Sequence, residues 1–281
     1  MIAPRADRPE PGPGAGADLE LGRALRSALN TCRRDIARFR AAPAPARDKA
    51  SVHGGREVVT DLDLILQDRL TTELGRAFPG IPVIAEEGQA EIPQLPNECL
   101  LVDPLDGTAP FLAGSSDYAI AICLVRGGIP AEGVIDLPAH DIRVSAAPGH
   151  LRVTGDVTRL PHHGPRTVLT SPGHADTVQD RLSGTGWSVR PAATASVKIT
   201  FVALGRAPAA AYLPRPGSGA APWDYPAAAL AVAAAGGTVH DTTGHDLART
   251  RPARLDGWLA LLPPPDADLP ALLRPSAAPH L

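Results

Sequence analysis

One short segment in the first half of the chain joins an apolar run to two closely spaced acids. Residues 100–111 read Leu-Leu-Val-Asp-Pro-Leu-Asp-Gly-Thr-Ala-Pro-Phe. The apolar start predicts a buried strand, and Asp103 and Asp106 follow it, with Pro104 stiffening the bend between them. Two carboxylates on one turn repel each other unless a cation lies between them. The segment therefore predicts a cation site at a strand end, although Asp-Pro-x-Asp-Gly is also common turn chemistry.

The residues that follow the acid pair suit an anion. Gly107 and Thr108 are expected to begin a helix. The first turn of a helix has backbone N–H groups without partners inside the helix, and these groups can bind an oxyanion. One segment could therefore hold hard metal ions and a phosphate side by side.

The composition argues against a nucleic-acid-binding or membrane protein. The 281 residues are 44% hydrophobic and carry a net charge of −3, whereas nucleic-acid binding needs a basic footprint. The longest apolar run, residues 227–235, is far shorter than a membrane span. Cys32, Cys99 and Cys123 are too few and too scattered for a disulfide framework or a zinc site. We therefore expect a protein of the reducing cytoplasm.

The pattern of apolar residues divides the chain into two halves and two tails. Residues 19–39 predict an amphipathic helix with Asp18 as its N-cap. Long consecutive strands predict an antiparallel sheet in the first half, and alternating strands and helices predict a layered α/β second half. The predicted segments are a disordered tail at 1–18, an N-terminal α+β metal-binding half at 19–147, a C-terminal α/β half at 148–262 and a Pro-rich tail at 263–281.

Further acids fall where a ligand could meet them. Residues 80–85 predict a strand that ends in Glu86 and Glu87. Because open α/β sheets bind ligands beyond strand ends, Glu86 and Asp103 could share one site, although acids in this position are commonly solvated loop residues. Asp61 and Asp63 begin a predicted helix, where either would also favour the helix dipole.

Three motifs occur in order along the chain. They are Glu86-Glu87, Asp103-Pro-Leu-Asp-Gly-Thr108, and Trp223-Asp224 ahead of an Ala-rich helix that closes at Gly236-Gly237. In this order and spacing they resemble the metal-dependent phosphatases of the inositol monophosphatase superfamily. The resemblance spans roughly residues 19–262. It implies an α/β fold with a layered αβαβα sandwich and the activity of a phosphoric monoester hydrolase.

The resemblance also implies a metal site. Glu86 and Asp103 would hold one Mg²⁺ with help from the backbone carbonyl of Leu105, and Asp103, Asp106 and Asp224 would hold a second. It implies two or three Mg²⁺ ions per site, with Mn²⁺ able to replace them. Carboxylate oxygens suit Mg²⁺, and few protein ligands leave room for water and a substrate phosphate.

The attacking water and the phosphate have their own implied partners. Thr108 and Asp63 resemble the pair that orients and deprotonates the water in this superfamily. The backbone N–H groups of Gly107 and Thr108 would hold the phosphate. No Cys or Ser nucleophile is then required, because metal ions neutralise the phosphate and activate water.

Within the superfamily, the chain most resembles the 3′(2′),5′-bisphosphate nucleotidases. The matching pieces are Ser171-Pro-Gly-His-Ala-Asp176, Thr194-Ala-Ser-Val-Lys198 and Leu213-Pro-Arg-Pro-Gly217. By this resemblance, the residues that line the nucleotide or its second phosphate are His174, Ser196, Lys198 and Arg215. Lys198 and Arg215 could equally be solvated surface residues.

Several positions depart from the pattern, namely Pro110, Gly173, Thr194, Ala195 and Pro226. They suggest an altered substrate pocket behind an intact metal site. The leading hypothesis is hydrolysis of the 3′-phosphate of a nucleotide or modified nucleoside, and the altered pocket suggests a step of a specialised biosynthetic pathway. An inositol or sugar monophosphatase and an inactive metal- or nucleotide-binding regulator remain alternatives. The implied partner is a small phosphorylated metabolite, not a nucleic acid polymer or a membrane. Homodimers are common in the superfamily, but no segment of this sequence indicates a dimer interface.

Overall fold

The computed structural model describes residues 19–42, 45–49, 57–89, 94–213, 219–263 and 269–273. The predicted tail at 1–18 and Arg215 lie outside the described residues. The helices are α1 (Glu20–Ala41), α2 (Asp61–Ala77), α3 (Thr108–Leu112), α4 (Ala175–Arg181), α5 (Ala195–Ala203), α6 (Pro226–Ala234) and α7 (Leu269–Leu273). The strands are β1 (Arg47–Lys49), β2 (Glu57–Val59), β3 (Val83–Ala85), β4 (Cys99–Asp106), β5 (Ala119–Arg126), β6 (Ile129–Leu137), β7 (Ile142–Ala147), β8 (His150–Thr154), β9 (Thr167–Thr170), β10 (Ser188–Pro191), β11 (Ala209–Tyr212), β12 (Thr238–Asp241) and β13 (Trp258–Leu261).

The first half of the chain forms a six-stranded sheet in the order β3-β4-β5-β6-β7-β8. Only β3 and β4 run parallel, and the other neighbours are antiparallel, as the consecutive strands predict. The edge strand β8 pairs with β7 and was not predicted. The first sheet therefore continues past the predicted boundary at residue 147. Strands β1 and β2 form a separate antiparallel pair.

Helices α1 and α2 cover one face of this sheet. Their apolar residues recur at three- and four-residue steps, so one stripe of each helix faces the core. The buried residues of the two stripes are Leu21, Leu25, Ala28, Leu29, Cys32, Ile36, Leu62, Leu66, Leu70 and Leu74. The N-cap position of α1 is Leu19, which makes no side-chain cap hydrogen bond, and the predicted N-cap residue Asp18 lies outside the described residues.

Helices α5 and α6 form the middle layer. They pack in one apolar cluster with inward residues of both sheets. Both are buried on nearly all sides, as expected of helices covered on both faces. Pro226 opens α6, where its missing N–H has no partner to lose.

The second sheet has the order β10-β9-β11-β13-β12, with β10, β9 and β11 parallel and β13 antiparallel to its neighbours. Helices α4 and α7 cover its outer face. The layers are therefore αβαβα, and the predicted α/β fold class is confirmed. Helix α7 lies in the predicted Pro-rich tail, yet Leu269 and Leu273 are buried against the second sheet.

A buried ion pair fastens α1 to the first sheet. Asp136 on β6 is fully buried and accepts hydrogen bonds from Arg33 Nε at 2.8 Å, Arg33 Nη2 at 3.0 Å and Arg143 Nε at 2.8 Å. Arg33 also contacts the exposed Asp141. Two guanidiniums therefore share one carboxylate beneath the helix.

The three cysteines are buried free thiols. Among the described residues, no helix combines the length and apolar character that crossing a bilayer requires.

Candidate active site

The Asp103–Asp106 segment is the bulged end of β4. Its pairing with β5 shifts register between these two acids, which places Pro104 where the ladder is already interrupted. The Leu105 N–H donates to Asp103 Oδ1 at 3.1 Å. Strand β4 extends four residues beyond the predicted apolar run and includes both acids. The bulge turns the two acids toward the same end of the sheet.

Gly107 allows the sharp exit from β4 into α3. Its φ of 96° lies in the left-handed region that favours glycine. A Cβ atom at this position would lie 2.5 Å from Thr194 Oγ1 and 2.7 Å from the Asp117 carbonyl oxygen. Any side chain here would push apart the segments that position the acids.

Thr108 and Asp63 come together from different parts of the chain. Thr108 Oγ1 donates to Asp63 Oδ1 at 2.7 Å and also lies 3.2 Å from the Leu105 carbonyl oxygen. Asp63 is buried at the third position of α2, where its Oδ2 accepts the Thr60 N–H at 2.8 Å in a capping box. The structure therefore brings together the two residues expected to handle the attacking water.

Asp61 and Asp63 have different surroundings although both lie in the first turn of α2. Asp61 is exposed and pairs with Arg47 at the surface. Burial raises the pKa of Asp63, an effect opposed by its hydrogen bonds from Thr60 and Thr108. A carboxylate with a raised pKa is a better proton acceptor near neutral pH. Local sequence patterns do not distinguish the two acids, whereas burial and a raised pKa make Asp63 the better proton acceptor.

Four carboxylates from three parts of the chain meet at this end of the sheet. Burial raises the pKa of Asp103 well above its ordinary value, and the nearby charges of Glu86, Asp106 and Asp224 raise it further. Glu86 also shares a hydrogen bond with Asp103. Burial likewise raises the pKa of Asp106 to about 6, against the lowering effect of hydrogen bonds from Ser196. A bound cation would stabilise the charged form of these carboxylates, because it offsets their repulsion.

The donor set fits Mg²⁺. In the described part of the chain, no three His, Cys, Asp or Glu side chains lie in an arrangement that could hold a metal ion. Mg²⁺ does not need three such side chains, because it keeps several waters and binds through one or two carboxylates and substrate phosphates. The mutually repelling acids offer only oxygen ligands. The residues that would hold the metal are Glu86, Asp103, Asp106 and Asp224, with the Leu105 carbonyl.

Two of these acids are held by neighbours that sequence reasoning missed in this role. The Ser196 N–H donates to Asp106 Oδ2 at 2.8 Å, and the Ala221 N–H donates to Asp224 Oδ2 at 2.7 Å. Ser196 is fully buried and its hydroxyl also contacts Asp106, so it supports a predicted metal ligand. The buried position of Ser196 differs from the expected one, in which its side chain lines an open nucleotide pocket.

Two polar residues fix the loops beside the acids. Gln67 on α2 donates to the Glu87 carbonyl at 3.0 Å and accepts the Glu87 N–H at 2.9 Å, which anchors the Glu86-Glu87 turn. The Asp117 carboxylate accepts the N–H groups of Ala193 and Thr194, and its carbonyl accepts Thr194 Oγ1. Neither residue belongs to a motif, so nothing in its local sequence indicates the role.

Lys198 is buried rather than solvated. Its Nζ donates to Ser171 Oγ at 2.9 Å and to the carbonyls of Ala192 and Ala193 at 3.0 Å each. These acceptors use all three of its protons, and burial lowers the pKa of Lys198 to about 8. In this structure Lys198 braces the 192–193 loop, which differs from the expected contact with a second phosphate.

His174 lies in an aromatic row that leads toward this lysine. The buried His174 ring lies 4.6 Å from the Tyr212 ring, and Tyr212 stacks on Trp258 at 6.3 Å. Lys198 Nζ lies 5.8 Å from the Trp258 ring centroid. The fourth residue expected to line a nucleotide, Arg215, lies outside the described residues.

The group of carboxylates around Asp103 and its place in the fold identify the class of protein. The carboxylates converge where only cations or protons can relieve their repulsion, and a hydroxyl–carboxylate pair stands beside them at a strand end of an αβαβα sandwich. Fold and site together define a metal-dependent phosphatase. The chain belongs to the Inositol monophosphatase family, which matches residues 35–259.

Individual relatives share about a third of the aligned residues. Nus factor SuhB of Xylella fastidiosa is 30% identical over 209 residues, which are 69% of this chain and 72% of that protein. The 3′(2′),5′-bisphosphate nucleotidase CysQ of Escherichia coli K12 is 31% identical over 196 residues, covering 67% and 78%. Inositol-1-monophosphatase of Mesorhizobium japonicum is 30% identical over 217 residues, covering 70% and 76%.

Solved structures support the fold. An IMPase/NADP phosphatase complexed with Mg²⁺ and phosphate superposes with a TM-score of 0.73 at 18% identity, covering 92% of this chain and 97% of that one. Members of the family are Mg²⁺-dependent phosphatases that act on small phosphorylated metabolites. The predicted family and the predicted class of enzyme, a metal-dependent phosphoric monoester hydrolase, are confirmed.

Proposed function

We propose that the protein hydrolyses the 3′-phosphate of a nucleotide or a modified nucleoside. The observation that carries the proposal is the Thr108–Asp63 hydrogen bond of 2.7 Å beside the group of carboxylates. The nucleotide part of the proposal rests on the likeness to CysQ and on Tyr212, the partly exposed ring of the aromatic row, whose neighbours His174 and Trp258 are buried. An exposed aromatic edge or face can pack against a base, whereas a polyol ring offers it no π face.

The chain's own residues prepare the attacking water. Thr108 Oγ1 gives its proton to the hydrogen bond with Asp63, so its lone pairs are directed away from that carboxylate and can accept a hydrogen bond from water. Asp63 then receives a proton through Thr108 as the water attacks. Its burial excludes solvent, and its raised pKa suits this task.

Metal ions and backbone groups have separate roles toward the phosphate. We propose that Glu86, Asp103, Asp106 and Asp224 hold two or three Mg²⁺ ions, with Mn²⁺ able to replace them. Bound Mg²⁺ neutralises phosphate charge, activates water and stabilises the leaving oxygen. The N–H groups of Gly107 and Thr108 orient the phosphate at the sharp turn out of β4.

The second candidate is an inositol or sugar monophosphatase. It is favoured by the hydrogen bonds of Lys198, whose ammonium group donates to protein acceptors and not toward a second phosphate. An inositol or sugar monophosphate has no second phosphate that would need this lysine. The likeness to the Mesorhizobium inositol-1-monophosphatase supports it equally. The inactive regulator has little support, because each proposed metal ligand and the Thr108–Asp63 pair are present.

A panel of phosphate esters tests the proposal. Phosphate release is measured with Mg²⁺ and with EDTA from adenosine 3′,5′-bisphosphate, adenosine 3′-phosphate, uridine 3′-phosphate, inositol 1-phosphate and fructose 1,6-bisphosphate. We expect Mg²⁺-dependent release with the highest kcat/KM on a nucleoside 3′-phosphate. Equal or faster turnover of inositol or sugar phosphates would contradict the substrate proposal and favour the second candidate. We also propose, from the family resemblance alone, that the protein forms a homodimer, and light scattering of the same preparation tests this.

A further inference from the structure

Two residues from different halves of the chain bind each other's main chain beside the site. The Asp117 carboxylate, in the loop before β5, accepts the Ala193 N–H and, at 3.4 Å, the Thr194 N–H. In return, Thr194 Oγ1 donates to the Asp117 carbonyl oxygen at 2.5 Å. Because 77 positions separate Asp117 from Thr194, this Asp117–Thr194 pair joins the start of α5 to the first half of the molecule.

The pair is directed at this one contact. Thr194 is buried, and it is one of the positions at which the chain departs from the nucleotidase pattern. Asp117 Oδ2 makes both hydrogen bonds to the 193–194 backbone, whereas Asp117 Oδ1 is buried and has no hydrogen-bond partner among the described residues. The hydrogen bonds that the structure gives this carboxylate therefore all go to the segment that leads into α5.

Lys198 holds the same segment from its other side. Its Nζ donates to the carbonyl oxygens of Ala192 and Ala193 at 3.0 Å each. Ala193 thus gives its N–H to a carboxylate and its carbonyl to an ammonium group. Hydrogen bonds to charged groups are stronger than those between neutral groups, so the backbone ahead of α5 is fixed from two directions.

The Gly107 turn lies directly on the Asp117–Thr194 pair. A Cβ atom at Gly107 would lie 2.5 Å from Thr194 Oγ1 and 2.7 Å from the Asp117 carbonyl oxygen, which are the two atoms of one hydrogen bond. The absence of a side chain at residue 107 permits this approach. A shift of the pair would therefore move the turn whose N–H groups are proposed to orient the phosphate.

The start of α5 also holds a proposed metal ligand. Ser196, two residues after Thr194, donates its N–H to Asp106 Oδ2 at 2.8 Å. This N–H belongs to the first turn of α5, where it has no partner inside the helix. The place of Thr194 thus affects the position of Asp106 as well as that of the Gly107 turn.

We propose that Asp117 and Thr194 are positioning residues, which set the place of the phosphate-binding turn relative to the carboxylate of Asp106. They act through Gly107 and Ser196, and the proposal rests on the roles proposed above for Asp106 and the turn. A misplacement of about 1 Å in an active site can lower the rate roughly 10²-fold. Loss of the pair should therefore change the kinetics of enzyme that remains folded.

The test removes the Thr194 hydroxyl and keeps the shape of the side chain. Thr194→Val is compared with Thr194→Ser, which keeps the hydroxyl, and with the control Thr185→Val. Thr185 Oγ1 donates to the Leu182 carbonyl oxygen at 2.6 Å in the turn before β10, whereas the 192–194 segment follows the other end of that strand. The control removes the same kind of hydrogen bond from the same half of the chain, away from the site.

Three quantities are measured: KM for a hydrolysed phosphate ester, the Mg²⁺ concentration that half-saturates activity, and the calorimetric Kd of inorganic phosphate at saturating Mg²⁺. We expect each to rise roughly three- to tenfold in Thr194→Val, the range of one hydrogen bond. Thr194→Ser and Thr185→Val should stay within about twofold of the wild type. Asp117→Ala removes the acceptor of two N–H groups and should raise all three further. A purely structural role would reduce the folded fraction, which lowers kcat and leaves KM unchanged.

Wild-type values in Thr194→Val would overturn the positioning proposal. An equal rise in Thr185→Val or in Thr194→Ser would also overturn it, because neither variant loses the hydroxyl of the pair. Calorimetry reports phosphate binding without turnover, so these outcomes do not depend on which ester is the substrate. Absence of Mg²⁺-dependent phosphate binding by the wild type would contradict the proposed site itself, and the positioning proposal with it.

Discussion

Replacing Asp63 with Asn is expected to lower kcat roughly 10²- to 10⁴-fold, because the water loses its proton acceptor while the shape of the site is kept. Asn keeps one oxygen, which can accept the Thr60 N–H that Asp63 Oδ2 accepts, while Thr108, which now faces the amide NH2, can donate its proton to the Leu105 carbonyl instead. The free energy of unfolding should therefore fall by no more than about 1 kcal/mol, the size of a cap contribution. Steady-state phosphate release and urea unfolding of the same preparation separate the two effects.

The neighbouring acid provides the matched control. Asp61→Asn makes the same chemical change in the same turn of α2, but at an exposed residue paired with Arg47. It should leave kcat within about twofold, because exposed ion pairs contribute little. An Asp63→Asn enzyme with more than a tenth of the wild-type kcat would show that Asp63 is not the proton acceptor.

Replacing Asp136 with Ala is expected to lower the free energy of unfolding by about 3–5 kcal/mol. The substitution leaves Arg33 and Arg143 without the carboxylate that accepts three of their hydrogen bonds. It also removes the link between α1 and β6. Urea unfolding followed by circular dichroism measures the loss as a lower midpoint at an unchanged slope.

Asp141 is the control for this prediction because it contacts Arg33 at the surface. Asp141→Asn suits its left-handed backbone, with φ of 54°, and should cost less than about 1 kcal/mol. If both variants lost similar stability, the burial of Asp136 would not be what makes its ion pair important.

The catalytic motifs were predictable because each is short and local. Asp103 and Asp106 lie three residues apart on a strand end, so their proximity does not depend on the rest of the fold. The meeting of Asp63 with Thr108 is different, since 45 residues separate them. It came from family resemblance, because local patterns alone left Asp61 and Asp63 equivalent.

The burial of Lys198 is predictable from the sequence of helix α5, although a lone lysine is more commonly solvated. Helix α5 reads Ala-Ser-Val-Lys-Ile-Thr-Phe-Val-Ala, in which the polar residues form no continuous polar face, and a mostly apolar helix without such a face is typically buried. A lysine within it must then find acceptors inside the protein. Those acceptors, at Ser171 and the 192–193 carbonyls, are set by loop packing that the sequence does not reveal.

The missed strands have weak local signals for different reasons. Strand β8 is a partly exposed edge strand of five residues, and its pairing with β7 depends on a tight turn at Gly149 with φ of 70°. Strand β13 is only four residues long, too short for its apolar pattern to separate strand from helix. Helix α7 is only five residues long and follows a Pro-rich stretch, so Leu269 and Leu273 are too few to give a helical pattern of their own.

The central claim is that the carboxylates around Asp103 bind the Mg²⁺ on which catalysis depends. The most direct test is calorimetric titration of Mg²⁺ into the wild-type protein and Asp103→Asn, each freed of metal beforehand, with phosphate present. We expect saturable binding to the wild type and at least tenfold weaker binding to the variant, with phosphate release lost in parallel. Equal Mg²⁺ affinity in both proteins, or phosphatase activity that persists in EDTA, would contradict the account.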